Sequence, residues 1–340
     1  MIVFRCNAGV EIGFGHLMRC RVLAEALCEQ GQQCVMVGPD SRLMTDEDKH
    51  IFVEWINLAN WTSPEKDANH LTEIMHRYGA TWAILDDYRV DDNYQLKLRD
   101  SGMHWLQFAH WQPQKYWSDI VLTPSPAANQ YDWAALVKNP DAKLLLGPKY
   151  AILRSEFRDI QPRDPVRPIK RVLVTFGGGD DRGAIKFVLN TLIPNTPNEI
   201  EFVVLSGANN PSNTQLQELS QINKQNRVHL HIAPKSVAPL FLSCDLAIIA
   251  GGTTTYEAAC CGLPMILISI ADNQINQCIG WQNLGAAIYL GPFPQVLLGN
   301  LLTTAVSNLL SHPSQFLTIA ESSSNQVNSN GIKHIMKLLL

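Results

Sequence analysis

The first place in this chain where chemistry could be done is a histidine that follows three glycines at the mouth of a helix. The stretch RCNAGVEIGFGHLMRCR, Arg5 to Arg21, reads as the end of a strand, a loop with Gly9, Gly13 and Gly15, and a helix opening on His16. The positive end of a helix dipole favours a neutral imidazole there, which can accept a proton as a general base must. Glycines ahead of it let a substrate approach the backbone closely. The blander alternative is a packed or capping histidine, since short glycine motifs are weak signals. A second candidate is GGTTTYEAA, Gly251 to Ala259. Two glycines, three hydroxyls and a helix start together could hold a phosphate through free N–H groups, and Glu257 could accept both hydroxyls of a ribose. Phosphate donors beside an acceptor acid form the pattern of a nucleoside diphosphate site. Gly177, Gly178, Gly179 and Asp180 form a third glycine turn. Asp272-Asn273-Gln274 opens a later helix, where its amides either read a base or sugar or only cap the helix.

Strand–helix alternation must position these groups. In the first half, apolar strands are expected at Ile2–Cys6, Gln33–Val37, Ile51–Leu58, Trp82–Leu85, His104–Phe108, Asp119–Leu122 and Lys143–Leu146. The helix after the first strand buries Cys20, Leu23, Ala24 and Leu27, at spacings of three and four. Alternation of this kind predicts an α/β fold with a parallel sheet and helices on both faces. Ligands in such sheets bind beyond the carboxyl ends of the strands, which places the Gly9–His16 loop and Asp86-Asp87-Tyr88 on one rim. Acidic residues at a strand end often merely cap the next helix. Ser155 to Pro168, with three prolines and alternating charge, is the linker candidate. The alternation then restarts with a strand at Lys170–Phe176 and continues through helix Arg182–Leu192, strand Glu201–Leu205, helix Ser212–Lys224, strand Val228–Ile232, helix Ser236–Ser243 and strand Asp245–Ala250. Strand Pro264–Ser269 follows. The second half repeats the topology of the first without a detectable sequence repeat.

Composition sets the outer limits. At 340 residues the chain suggests two domains, and 46% hydrophobic with 17% charged residues fits a well-buried globular protein. The net charge of −4 argues against a basic nucleic-acid surface. No apolar run approaches the roughly 20 residues that span a bilayer, and the strand-like start does not read as a signal peptide. Eight cysteines without a C-x-x-C pair are expected to be buried thiols of a cytoplasmic protein, and the ten histidines form no H-E-x-x-H pattern.

Five motifs occurring in order resemble one family. They are IGFGHLMRC (Ile12–Cys20), LLLGPKYAILRSEF (Leu144–Phe157), TFGGGD (Thr175–Asp180), GGTTTYEA (Gly251–Ala258) and DNQ (Asp272–Gln274). Together they are similar to the PseG family, UDP-2,4-diacetamido-2,4,6-trideoxy-β-L-altropyranose hydrolases of pseudaminic acid synthesis, relatives of the MurG-type glycosyltransferases. The resemblance spans about residues 2 to 290. It implies a GT-B fold of two Rossmann-like domains with parallel sheets facing a central cleft, divided as 1–157 and 158–340, with a last helix that could pack across onto the first domain.

The resemblance also implies a soluble surface-glycan enzyme needing no cofactor and no metal, with a UDP-sugar as ligand, no nucleic-acid partner, and other sugar-nucleotide enzymes as possible neighbours. His16 would deprotonate a water that attacks the anomeric carbon with inversion, and Tyr88 stands where the family has a tyrosine near the sugar or water. Substrate contacts would come from Gly13, Gly15, Arg19, Gly177, Gly178, Gly179, Gly251, Gly252, Thr253, Thr254, Glu257, Asn273 and Gln274. Two positions depart from the family. Asp86-Asp87-Tyr88 stands for the usual Asp-His-Tyr, and Phe108-Ala109-His110 stands where Asp-Asp is common, so the UDP end is better supported than the identity of the sugar. The alternatives are a GT-B transferase moving the sugar to an acceptor hydroxyl, a non-catalytic nucleotide-sugar binder, and a hydrolysing 2-epimerase that shares the fold without these motifs. A transferase for a lipid acceptor would call for a basic or apolar patch. Trp105, Trp111, Tyr116 and Trp117 are more readily core and loop packing.

Overall fold

A computed structural model describes residues 1–9, 13–58, 63–110, 114–164, 168–222 and 227–340. Ile12 of the first motif, Trp111 and Lys224 lie outside the described residues, as does part of the expected linker. The chain divides into two compact units, Met1–Arg154 with Asn330–Leu340, and Ser155–Ser329.

The first unit runs β1 (Ile2–Cys6), α1 (Gly15–Glu29), β2 (Cys34–Val37), a short α2 (Asp48–Ile51), β3 (Phe52–Ile56), α3 (Pro64–Tyr78), β4 (Trp82–Asp86), α4 (Asp92–Asp100), β5 (Trp105–Phe108), β6 (Ile120–Thr123), the single turn α5 (Trp133–Leu136) and β7 (Lys143–Leu146). Its strands form one parallel sheet in the order β3-β2-β1-β4-β5-β6-β7. Central strands of a two-faced sheet must be apolar on both sides, and every residue of IVFRC in β1 is buried. Helix α1 covers one face with Leu17, Cys20, Leu23, Ala24 and Leu27, each fully buried. Helices α3 and α4 cover the other with Leu71, Met75, Tyr94 and Leu98. Local signals set the ends of these helices. Ser63 and Asp91 accept from the first-turn amides of α3 and α4, and Gly79 closes α3 in a left-handed conformation.

The second unit runs β8 (Arg171–Thr175), α6 (Ala184–Leu192), β9 (Glu201–Ser206), α7 (Asn213–Ile222), β10 (Val228–Ile232), α8 (Ala238–Ser243), β11 (Leu246–Ile249), α9 (Thr254–Cys260), β12 (Met265–Ser269), α10 (Ile275–Asn283), β13 (Ala287–Pro292), α11 (Leu298–Ser311) and α12 (Pro313–Gln326). Its sheet is also parallel, ordered β10-β9-β8-β11-β12-β13. Helices α6, α11 and α12 pack on one face through Ile185, Val188, Leu189, Leu302, Val306 and Phe316.

The last element, α13 (Gly331–Leu339), belongs to the first unit. Ile332, Ile335 and Leu339 enter the same apolar cluster as α1, so residues 330–340 do not continue the second unit as a division at 157/158 would have them. The stretch Asn325–Leu340, expected to be helical, holds the end of α12 at Gln326 and then α13.

Candidate functional site

Both sheets reverse their strand order at one place, between β1 and β4 in the first and between β8 and β11 in the second. Chains leaving two such strands diverge to opposite faces and open a crevice at the carboxyl edge, where α/β proteins bind ligands. The loops after these strands carry the candidate residues: Gly9–His16 after β1, Asp86–Tyr88 after β4, Gly177–Asp180 after β8 and Gly251–Thr254 after β11.

In the first unit the register pairs Cys6 with Asp86. The Gly9 and Gly13 main chains bond to each other in both directions, at 3.2 and 2.7 Å, and the chain then enters α1. His16 is the second residue of that helix and is buried. Its Nδ1 lies 2.5 Å from Oδ1 of Asp86. With Nδ1 donating to the carboxylate, Nε2 remains as the proton acceptor. Arg19, one turn on, grips Asp86 through Nε to Oδ2 and through a second nitrogen to Oδ1, and lies 4.3 Å over the Phe108 ring. Burial opposes ionisation of Asp86, but the Arg19 charge and then His16 outweigh it and hold the carboxyl far below the usual range. Burial likewise disfavours the Arg19 charge, and Asp86 reverses that.

Asp86 therefore does not cap α4; Asp91 does, accepting from the Tyr94 amide at 2.9 Å. Asp87 is spent on its own turn. It accepts from the amide and guanidinium of Arg89, at 3.0, 2.9 and 2.7 Å, and lies 3.5 Å from the Arg5 guanidinium. Arg5 is in turn fixed by Asp67 at 2.8 and 2.7 Å, with Tyr94 Oη donating to the same carboxylate. Tyr88 is exposed and packs edge-on to His16, with ring centres 4.6 Å apart. His110 joins them, 4.4 Å from Tyr88 and 5.5 Å from His16.

In the second unit Gly251 presses against α10. A Cβ there would lie 2.4 Å from Cys278 Sγ and 2.9 Å from the Gln274 carbonyl, so only glycine fits. Buried Thr255 ties the turn together, donating to the Gly252 carbonyl and accepting from Gln277 and Trp281 at 2.9 Å each. Gln277 also donates to the Gly252 carbonyl. Thr253 is exposed, and Glu257 is largely buried one turn into α9. Gly177, Gly178 and Gly179 are exposed, and Gly207 backs them so closely that a Cβ there would meet the Gly178 carbonyl at 1.8 Å. Gln274 spends its side-chain oxygen on the Ile270 amide, and Asn273 is exposed. Neither Asp272 nor Asn273 caps α10, because the chain enters it through a 3-10 turn over 272–274 with no side-chain cap bond.

No protein-family model matches the chain. An uncharacterised protein of Methanocaldococcus jannaschii is 23% identical over 271 residues, 77% of this chain but only 54% of that relative, so the chain spans about half its length. The spore coat polysaccharide biosynthesis protein SpsG of Bacillus subtilis is 22% identical over 98% of this chain and 96% of its own. The UDP-2,4-diacetamido-2,4,6-trideoxy-β-L-altropyranose hydrolase of Campylobacter jejuni is 26% identical over 76% of this chain and 87% of its own. Among solved structures, Acinetobacter baumannii MurG superposes with a TM-score of 0.69 at 15% identity, covering 99% of each chain. The chain has the GT-B fold. Anabaena HepE, solved in complex with UDP, has the same fold, with a TM-score of 0.59 at 15% identity and 99% of each chain covered.

His16 and Tyr88, expected on one rim, lie with their rings 4.6 Å apart, whereas Arg19, expected among the substrate contacts, binds both oxygens of Asp86. Sequence alone did not reveal Asp86 as the partner of His16, and His110 stood out only as a departure from the family pattern. The histidine spacing suggested no metal, yet the fold gathers possible ligand atoms of His16, Asp86 and His110 within 4.8 Å of one another. Arg19 already meets both oxygens of Asp86, so a divalent cation there would face a guanidinium. The cluster therefore has the charge balance of an ion-paired His–Asp dyad. All eight cysteines are free, and all but Cys28 are buried.

Proposed function

We propose that this protein hydrolyses a UDP-linked 2,4-diacetamido-2,4,6-trideoxy sugar to UDP and the free sugar, as the Campylobacter jejuni relative is named for doing. The observation that carries the reading is the buried His16–Asp86 pair at the reversal point of the first sheet, with His16 Nε2 left to accept a proton. A carboxylate that fixes one ring nitrogen makes the other a defined base. In the proposed reaction His16 Nε2 takes a proton from water as its oxygen bonds to the anomeric carbon. The bond from that carbon to the diphosphate oxygen breaks with inversion, and its electrons leave on UDP. The imidazolium then returns its proton to solvent. Asp86 holds the ring and balances its transient charge, and Arg19 holds Asp86. In the second unit the diphosphate is assigned to the Gly177–Gly179 and Gly251–Thr254 loops, and the ribose to Glu257. UDP bound to Anabaena HepE supports a nucleotide role for this fold.

A second reading, transfer of the sugar to an acceptor hydroxyl, is favoured by the MurG-like structural relatives, since the same dyad could activate an alcohol. The deciding experiment incubates the protein with UDP-2,4-diacetamido-2,4,6-trideoxy-β-L-altropyranose in ¹⁸O-water, without acceptor and with chelator. Hydrolysis at carbon places the label in the sugar, and H16N abolishes it while UDP binding persists. UDP release that appears only when an acceptor alcohol is added overturns hydrolysis in favour of transfer. An H16N variant that also fails to bind UDP overturns the division of labour between the units.

A further inference from the structure

His110 lies two residues past the end of β5, where the Ala109 amide bonds to the Leu122 carbonyl at 2.8 Å and pins the chain to β6. The β4–β5 register pairs Leu85 with Gln107 and, continued, brings Tyr88 alongside His110. Both carboxylates of the cluster are engaged. His16 Nδ1 and Arg19 occupy Asp86, and Asp87 is held by Arg89. His110 Nε2 is different: it is buried and has no hydrogen-bond partner among the described residues. A neutral imidazole carries one proton, and the tautomer with that proton on Nδ1 leaves the buried, unpartnered Nε2 an acceptor. Burial keeps this imidazole uncharged. Asp86 opposes that effect, and Arg19 and His16 reinforce it, so its pKa falls from the ordinary 6.5 to about 3. An uncharged acceptor does not attract a phosphate or a carboxylate; it calls for an O–H or N–H.

We propose that His110 is a specificity-determining residue whose Nε2 accepts a hydrogen bond from a hydroxyl or amide N–H of the sugar held beside His16. The inference rests on the reading of this site as one for a nucleotide-linked sugar. Tyr88 is the exposed ring of the three and packs on both imidazoles. A buried acceptor left without a donor destabilises the free protein, and a ligand that supplies the donor relieves it. Sites built in this way reject analogues that lack the donor much more strongly than apolar pockets reject a size change.

The test compares wild type, H110Q and H110F in UDP release from the diacetamido sugar nucleotide and from analogues lacking one hydroxyl or one acetamido N–H. H110F is expected to lose roughly tenfold to a hundredfold in kcat/KM. H110Q recovers most of that loss, because its amide oxygen accepts. One analogue is penalised in wild type and not in H110F. Activity of H110F within twofold of wild type, or an equal penalty for every analogue in both proteins, overturns the proposal. Imidazole ¹⁵N NMR of the wild type gives a measure independent of how the variants fold. The Nε2 resonance of His110 shifts as a non-cleaved UDP-sugar analogue saturates, and a resonance that stays put overturns the inference. If wild type releases UDP from no sugar nucleotide, the functional reading fails, and the NMR titration still judges His110 separately.

Discussion

The Asp86–Arg19 pair allows one perturbation to be worked through. D86N keeps an amide oxygen for His16 Nδ1 and removes the charge that balances Arg19. The Asp86 side chain is 0% exposed and that of Arg19 21%. Removing one partner of a buried pair costs about 3–5 kcal/mol, because the other charge stays uncompensated. Arg19 is one-fifth open to water and keeps its place over Phe108, which puts the expected cost near the lower end, about 3 kcal/mol. The first unit has about 165 residues, and units of that size lose about 2–4 °C per kcal/mol, so its melting point should fall by about 6–12 °C. R19M/D86N removes both charges and should lose at least about 2 kcal/mol less than the two single losses added together. Urea-dependent hydrogen exchange on the full chain, read on peptides over α1 and β4, assigns the loss to the first unit. A D86N cost below about 1 kcal/mol, or a double variant whose losses simply add, would refute the ion-pair account of this site.

Three further predictions follow from other parts of the molecule. T255V should leave Trp281 Nε1 without an acceptor and Gln277 with only the Gly252 carbonyl, cost roughly 1–3 kcal/mol, and raise exchange across Gly251–Thr254, as thermal melts and hydrogen exchange would show. G331A should loosen the last helix by about 1–3 kcal/mol, since a Cβ there meets the Ala151 carbonyl at 2.2 Å, and limited proteolysis should then cut within 331–339 faster than in wild type. Acid stability should depend on His110: its folded pKa is depressed to about 3, so the unfolded chain binds the extra proton between about 3 and 6.5 and stability falls as pH falls through that window. Asp86 adds an acid loss of its own, but only below the ordinary carboxylate pKa near 4. H110Q should therefore flatten the decline between about pH 6.5 and 4.5 in urea titrations, and an unchanged slope would contradict a neutral buried imidazole.

Periodicity made the strands and their alternation with helices legible, because burying both faces of a parallel sheet demands continuous apolar runs such as those of β1, β4 and β11. The three-four spacing of α1 gave its buried face directly. The site was legible only where it is local. His16 stands out because glycines and a helix start surround it within a few residues. Asp86 and His110 lie 70 and 94 positions further on, and what joins them to His16 is that β4 and β5 lie in turn beside β1. Nothing in a single strand's sequence reports its neighbour in the sheet. Asp86 looked like an ordinary cap for the next helix because the residue that does that work, Asp91, is also an aspartate a few positions away. The docking of α13 stayed open between its own domain and the first for a similar reason: its apolar stripe fits the core of either unit equally well on pattern alone.

That docking has a consequence for how the protein is made. The segment from Ser155 to Ser329 emerges from the ribosome before the residues that complete the first unit's core. At 5–20 residues per second, roughly 9–35 seconds separate the two. For that interval the α1 side of the first sheet lacks Ile332, Ile335 and Leu339, while the second unit already has all of its own strands. The half that begins first in the sequence is thus the last to close. A nascent chain stalled before residue 331 would present a finished second unit tethered to an unfinished first one, its apolar face open to chaperones.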